Sequence, residues 1–149
     1  MNAALLLLLA IAGCAMQNAA PPASKESSAM PTSLAPCPSS PNCVSSEATD
    51  QAHRIAPLPF SGDPSAAMAR LRAVIEAMPR ARVVSANDRA LHAEFTSFLF
   101  RFVDDVDCIA DPAAGVIQIR SASRTGYGDF GVNRKRVEQI RAAFEAPNP

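Results

Sequence analysis

The sequence predicts an α+β domain: a four-stranded antiparallel sheet with two helices packed on one face, in the order α-β-β-β-β-α. Three observations lead there. Apolar residues recur at helical spacing between residues 64 and 78 and again between 132 and 146. The stretch between breaks into four short runs separated by turn-forming residues. In one of those runs apolar and polar residues alternate, as in a strand with one buried face. A single sheet covered by both helices on that face buries all of this apolar surface.

Each element has its own signal. Asp63-Pro64 pairs a side-chain cap with proline at the first helical position. Met68, Leu71, Val74, Ile75 and Met78 then form one stripe, and Pro79 ends the helix. The expected strands are Arg82 to Ser85, Ala90 to Ser97, Leu99 to Ala110 and Gly115 to Ser123. Asn87-Asp88 and Asp111-Pro112 supply turns. Leu91, Ala93 and Phe95 alternate with His92, Glu94 and Thr96. The last helix spans Val132 to Ala146, with Val137, Ile140 and Phe144 as its stripe. With one tyrosine and no tryptophan, the core rests on Phe, Leu, Ile and Val.

The N-terminus sets the expected compartment. Ala3 to Ala12 is uncharged and apolar, with leucine at every position from Leu5 to Leu9. That is too short for a membrane-spanning helix and fits a signal-peptide core. It runs into Ile11-Ala12-Gly13-Cys14, which resembles the bacterial lipobox. Residues 1–13 are then a lipoprotein signal peptide, and the Cys14 thiol is the attachment point for a diacylglyceryl group. The rival reading is an ordinary secretory signal that happens to contain a cysteine. Met1-Asn2 carries no Lys or Arg, a departure from the usual signal-peptide start. Two or more acyl chains on one residue anchor a protein stably, whereas one does so marginally. Ala15, rather than aspartate, follows the cysteine. In an organism with two membranes that sorts the protein to the outer one, facing the periplasm.

Residues 14–36, rich in Ala, Pro, Ser and Asn, lack any apolar period and read as a tether with a span of roughly 25 Å. Residues 37–146 form the single domain that 149 residues allow. Cys37 and Cys43 lie close together, with two prolines and Asn42 between them, and suggest a small disulfide loop in an exported protein. Cys43–Cys108 is the rival pairing. Lys plus Arg and Asp plus Glu cancel at 14 each, which argues against a nucleic-acid binder.

The chemically richest segment is Val116 to Arg136. In a strand, Gln118, Arg120, Ala122 and Arg124 share one face, and Ile117, Ile119, Ser121 and Ser123 the other. A hairpin turning at Asp111-Pro112 sets Asp107 opposite Gln118, Asp105 opposite Arg120, and Arg101 opposite Arg124. The last pairing opposes two guanidiniums and calls for an anion, or for Glu94 on the neighbouring strand. Thr125 to Gly131 then forms a glycine-rich turn into a helix, a geometry that presents backbone N–H groups to anions. Arg134, Lys135 and Arg136 follow, where the helix dipole disfavours cations unless a negative group is near. Arg120, Arg124, Asp129, Asn133, Arg134 and Asp105 are therefore the candidate anion or polar site. The plainer alternative is an internal network of Asp104, Asp105, Asp129, Arg120 and Arg124 tying sheet to helix, with Asp129 as a cap and the basic run solvated. His53 and His92 have no ligand spacing, so no metal or other cofactor is expected. No base is placed beside Ser45, Ser46 or Cys43, so no catalytic residue is assigned.

From Cys37 onward the chain resembles the bacterial family catalogued as domain of unknown function 1499. The resemblance lies in CPSSPNCVSS (Cys37 to Ser46), FRFVDDV (Phe100 to Val106) and IRSASRTGYGDFGVNRKRVEQIR (Ile119 to Arg141), and covers about three-quarters of the chain. It implies an exported or membrane-attached protein without an assigned activity, and it favours the Cys37–Cys43 pairing because Cys108 is less typical of the pattern. Three functional expectations follow. The leading one is a non-enzymatic binding or scaffolding lipoprotein of the cell envelope, held to the membrane by its anchor and free to meet an envelope protein or anionic ligand. The alternative is an enzyme or binding protein for an anionic envelope lipid or glycan, with Arg120 and Arg124 as clamp and Asp129 or Asp105 as base. The third is a small-ligand carrier with an apolar cavity between sheet and helices.

Overall fold

The computed structural model describes residues 32–147, so the expected leader, lipobox and Cys14 lie outside the described residues. In chain order the elements are β1 (Cys43–Ser45), β2 (Leu58–Pro59), α1 (Pro64–Glu76), β3 (Ala81–Ala86), β4 (Ala90–Thr96), β5 (Val103–Asp111), β6 (Val116–Ser123) and α2 (Val132–Glu145). The fold is α+β, as expected. Its sheet has six strands rather than four, in the order β1-β6-β5-β4-β3, with β2 also paired to β6. All pairings between these strands are antiparallel.

The two additional strands are three and two residues long, too short to show an alternation. Both run along the free edge of β6, β1 opposite Arg120 to Ala122 and β2 opposite Val116 and Ile117. They cover backbone groups that would otherwise offer an open edge to another chain. At the other edge, β3 carries an irregularity between Val83 and Ser85 and is largely exposed. A bulge there blunts edge-to-edge pairing.

α1 begins as the sequence predicts. The Asp63 carboxylate accepts from the Ser65 and Ala66 backbone N–H groups, each at 3.2 Å, with Pro64 next in line. The helix closes at Glu76, two residues before its expected end. Met68, Leu71 and Ile75 from α1 and Val137, Ile140 and Phe144 from α2 meet the inward residues of the sheet, among them Leu91, Val106, Ile117 and Ile119. Both helices thus lie on one face. Leu71, Ile75, Ile117, Ile119, Val137 and Ile140 are wholly buried, and they fill the space where a ligand-carrying cavity was to be sought.

The strand expected from Leu99 starts at Val103 instead. Ser97 to Phe102 closes on itself as a loop: the Ser97 N–H donates to the Phe102 carbonyl at 2.8 Å, and the Phe102 N–H to Ser97 Oγ at 2.9 Å. Arg101 sits at φ 57°, which breaks any extended run. The apolar residues of this segment read as strand, yet they point to solvent.

Leu71→Ala would remove a side chain with no exposed surface from the junction of helix and sheet. Urea unfolding is expected to show a loss of about 2–5 kcal/mol. A loss well under that range would mean that the sheet–helix junction is looser than its burial indicates.

Candidate functional site

The β5–β6 hairpin decides where the charges meet. Asp111 pairs with Val116, leaving Pro112 to Gly115 as the turn. The Asp111 carboxylate accepts from the Ala113 and Ala114 N–H groups, each at 3.1 Å, and Gly115 takes φ 66°. The turn is therefore centred one residue later than expected, and the strand register moves by two. Asp107 stands opposite Arg120, Ile109 opposite Gln118, and Asp105 opposite Ala122. Arg101 lies in the preceding loop and never opposes Arg124. Because side chains alternate with a period of two, a shift of two leaves every residue on its expected face.

One group of charges lies on the sheet face away from the helices. Arg124 Nε and Nη2 grip both oxygens of Asp105 at 2.9 and 2.7 Å, and Nη2 also donates to Glu94 at 2.6 Å. Glu94 is shared with Arg82 at 2.6 Å. His92 Nδ1 sits 2.7 Å from Asp107, and its Nε2 3.5 Å from Asp105. Arg120 reaches Asp107 at 3.5 Å, while its Nε is buried without a partner. Hydrogen bonds from Arg124 and then Arg82 hold the Glu94 carboxyl below its ordinary range. The bonds it donates to Asp105 and Glu94 push the Arg124 guanidinium further up, so it stays charged at any accessible pH. His92, Glu94 and Asp105 bring ligand-type atoms within 4.8 Å of one another. Arg124 already occupies both carboxylates, so a cation would have to displace it.

A second group lies on the opposite face, where α2 meets the sheet. Asn133 is fully buried. Its Nδ2 donates to the Asn42 carbonyl at 3.0 Å, to Ser123 Oγ at 2.9 Å and to Asp129 at 2.8 Å, and its Oδ1 accepts from Ser121 at 2.6 Å. Arg136 Nη1 donates to the same Oδ1 at 2.7 Å, and Nη2 to Asp104 at 2.6 Å, with the guanidinium 4.8 Å from the centre of the Phe95 ring. Asp104 and Arg136 are both buried. Asp129 accepts from the Gly131 and Asn133 N–H groups at 2.9 and 2.8 Å, so it closes the start of α2 while Gly131 supplies the left-handed turn at φ 76°.

The expected site residues are thus divided. Arg120, Arg124 and Asp105 lie on the outer face, Asp129 and Asn133 on the helix side, and Arg134 elsewhere again. Arg134 leaves the helix start to donate to the carbonyls of Arg54 and Ala52, each at 2.8 Å. Arg141 does the same for Pro57 and Ala56 at 2.7 and 2.6 Å. The network expected to join sheet to helix is in fact two networks, and Asp104, not Asp105, makes the crossing. Arg136, expected on a solvated basic face, is buried. Its position three residues after Asn133 and four before Ile140 places it on the buried side of the helix. His92, on the polar face of its strand, is half-buried between two carboxylates.

Cys37 and Cys43 are bonded, with 5.7 Å between their Cα atoms, and Cys108 is free and buried. Burial pushes the Cys108 thiol far up, leaving it inert. His53 braces the disulfide loop, with Nδ1 2.8 Å from Asp50 and Nε2 3.1 Å from the Ser40 carbonyl. A surface groove of about 820 Å³ lies at the far end of the sheet, lined by Thr32, Glu47, Asn87, Arg89, Asp111 and Gln118 among others, and by none of the expected site residues.

Fold and geometry together define a small α+β module whose arginines and carboxylates mostly serve its own architecture. The chain belongs to the family of proteins of unknown function DUF1499, whose model matches residues 33–144. No curated protein matches the chain.

Removing Asp104 alone strands the Arg136 charge in the interior. Asp104→Ala is expected to cost about 3–5 kcal/mol in denaturant unfolding, and the double change Asp104→Leu with Arg136→Met to cost far less. Equal losses in both would show that the cost of Asp104→Ala does not come from a stranded Arg136 charge. Glu94 gives a pH signature. Its folded pKa lies below its ordinary 4.5, so its stabilisation is complete above that value and fades as pH falls through the lower folded one. Glu94→Gln should therefore flatten the acid limb of the stability profile below about pH 4.5. An unchanged limb would show that Glu94 gains nothing from its two arginines.

Proposed function

We propose that this protein is a non-enzymatic binding module of the cell envelope, tethered to a membrane through lipid on Cys14. The observation that carries the non-enzymatic part is the engagement of the residues that catalysis would recruit. Arg124 is held by two carboxylates, Asp105 by Arg124, and Asp129 by the backbone at the start of α2. A general base must be within reach of a substrate proton, and these groups face their own partners. The anchor rests on the apolar leader and on Ile11 to Cys14. The alternative, an enzyme or binder for an anionic lipid or glycan, retains one supporting feature: the buried Arg120 Nε has no acceptor.

Mass spectrometry of the mature chain tests the anchor. The expected N-terminus is a diacylglycerylated Cys14, and Cys14→Ala should abolish incorporation of labelled palmitate. An unmodified Cys14 thiol, or an intact leader in a cytosolic fraction, would overturn it. Turnover of an anionic envelope substrate that disappears in Arg120→Met, with folding retained, would replace the non-enzymatic reading with the alternative.

A further inference from the structure

The apolar surface of the domain is concentrated at one end. Eight large apolar side chains are exposed among the described residues, and all but Val84 belong to two neighbouring loops and the helix start that follows. Phe98, Leu99, Phe100 and Phe102 come from the β4–β5 loop, with 79, 72, 69 and 53% of their surfaces exposed. Tyr127, Phe130 and Val132 come from the loop after β6 and the first residue of α2. The antiparallel register places these segments together. Thr96 pairs with Val103, Asp104 with Ser123, and the Arg124 N–H donates to the Val103 carbonyl at 3.1 Å. An exposed apolar patch of this kind is a contact surface waiting for an occupant.

The charges beside the patch select the occupant. Arg80 lies 5.8 Å from the centre of the Phe98 ring, Arg101 stands between Phe100 and Phe102, and Lys135 lies one helical turn beyond Val132. Among the described residues none of these three cations has a carboxylate within ion-pair reach. The carboxylates of Glu94, Asp104 and Asp105 are neutralised by arginines, and that of Asp129 accepts from α2. Aromatic side chains ringed by unpaired cations match the boundary between acyl chains and anionic headgroups. The β4–β5 loop also satisfies two of its own backbone N–H groups, one with a carbonyl and one with the Ser97 hydroxyl, which lowers the cost of leaving water.

We propose that this aromatic end inserts into the interfacial region of an anionic lipid bilayer, so that the domain lies against the membrane instead of hanging free of it. The proposal extends the tethered-module reading and takes the anchoring membrane as the surface met. The described chain starts at Thr32, which borders the groove at the opposite end of the sheet. Seventeen residues lie between it and Cys14, a reach of at most about 60 Å when extended. The longest strand has nine residues, about 30 Å, so the tether is long enough for the far end to turn down onto the same bilayer.

Depth-dependent fluorescence on the mature full chain tests this. Leu99→Cys, and Ala113→Cys in the β5–β6 turn as a control, accept an environment-sensitive label, because Cys108 is buried, Cys37 and Cys43 are bonded, and Cys14 is either acylated or replaced by serine where it proves unmodified. On vesicles of phosphatidylcholine with phosphatidylglycerol, the label at 99 should shift to the blue. A shallow nitroxide-bearing lipid should quench it several-fold more than the label at 113. Adding Phe98→Ser and Phe100→Ser should abolish the difference, and vesicles without phosphatidylglycerol should reduce it. Equal quenching at the two positions overturns the proposal. So does a blue shift without quenching, which would mark a protein partner or a second copy as the occupant. The anchor fails or stands separately. Insertion by a chain whose Cys14 proves unmodified supports the aromatic end and removes the tether, whereas a lipidated chain with the label at 99 in water does the reverse.

Discussion

The buried pair of Arg136 and Asp104 is the interaction on which the arrangement of this domain depends. Two charges are withdrawn from water at the junction of α2 and the sheet, and withdrawal of that kind is costly unless geometry and hydrogen bonding are complete. Here they are nearly so. Arg136 meets Asp104, Asn133 and Ser121, while its flat face covers Phe95. Asn133 in turn binds the strand through Ser121 and Ser123 and the N-terminal segment through the Asn42 carbonyl. An apolar contact would tolerate sliding of helix over sheet. This polar cluster admits one position, because any slip leaves a buried donor or acceptor without its partner.

Arginine does related work elsewhere. Arg134 and Arg141 bind backbone carbonyls of residues 52 to 57, and Arg70 binds those of Phe144 and Ala146. Segments without regular structure have carbonyls that no ladder satisfies, and a planar fork of donors satisfies two at once. A chain with no excess of positive charge can therefore hold its connecting segments down with arginine and still leave few free cations on its surface. At the aromatic end Arg80 donates to the Thr96 carbonyl at 3.2 Å, while Arg101 and Lys135 have no such duty among the described residues.

Most of the fold could be read from the residues. The Asp63-Pro64 start, the two apolar stripes and the alternation from Leu91 to Thr96 each follow from local geometry, and the structure bears them out. What escaped was set by distant contacts. The strands at Cys43 and Leu58 are too short to carry a period and exist because β6 offers an edge. The register of the last hairpin depended on a turn centred one residue later than the simplest choice, with Asp111 and Gly115 shaping it. Which face each residue occupies was legible, since an even shift preserves it. Which residues touch was not, so six candidate residues that looked like one site proved to be parts of separate ones. The segment from Phe98 to Phe102 misled for a plainer reason: composition reports apolarity, and nothing local says whether that apolarity is covered.

The placement of β6 has a consequence for the order of events during synthesis. This late strand is paired with β1, β2 and β5, and Asn42 is joined to Asn133 across 91 positions of chain. Neither the disulfide-bearing segment nor the helix cluster can settle until the last quarter of the polypeptide is present, and contacts so distant in sequence form slowly. A nascent chain of this design stays open while it is being made. On the proposed reading of an exported lipoprotein, delayed closure would keep the precursor in a form that a secretion channel can accept.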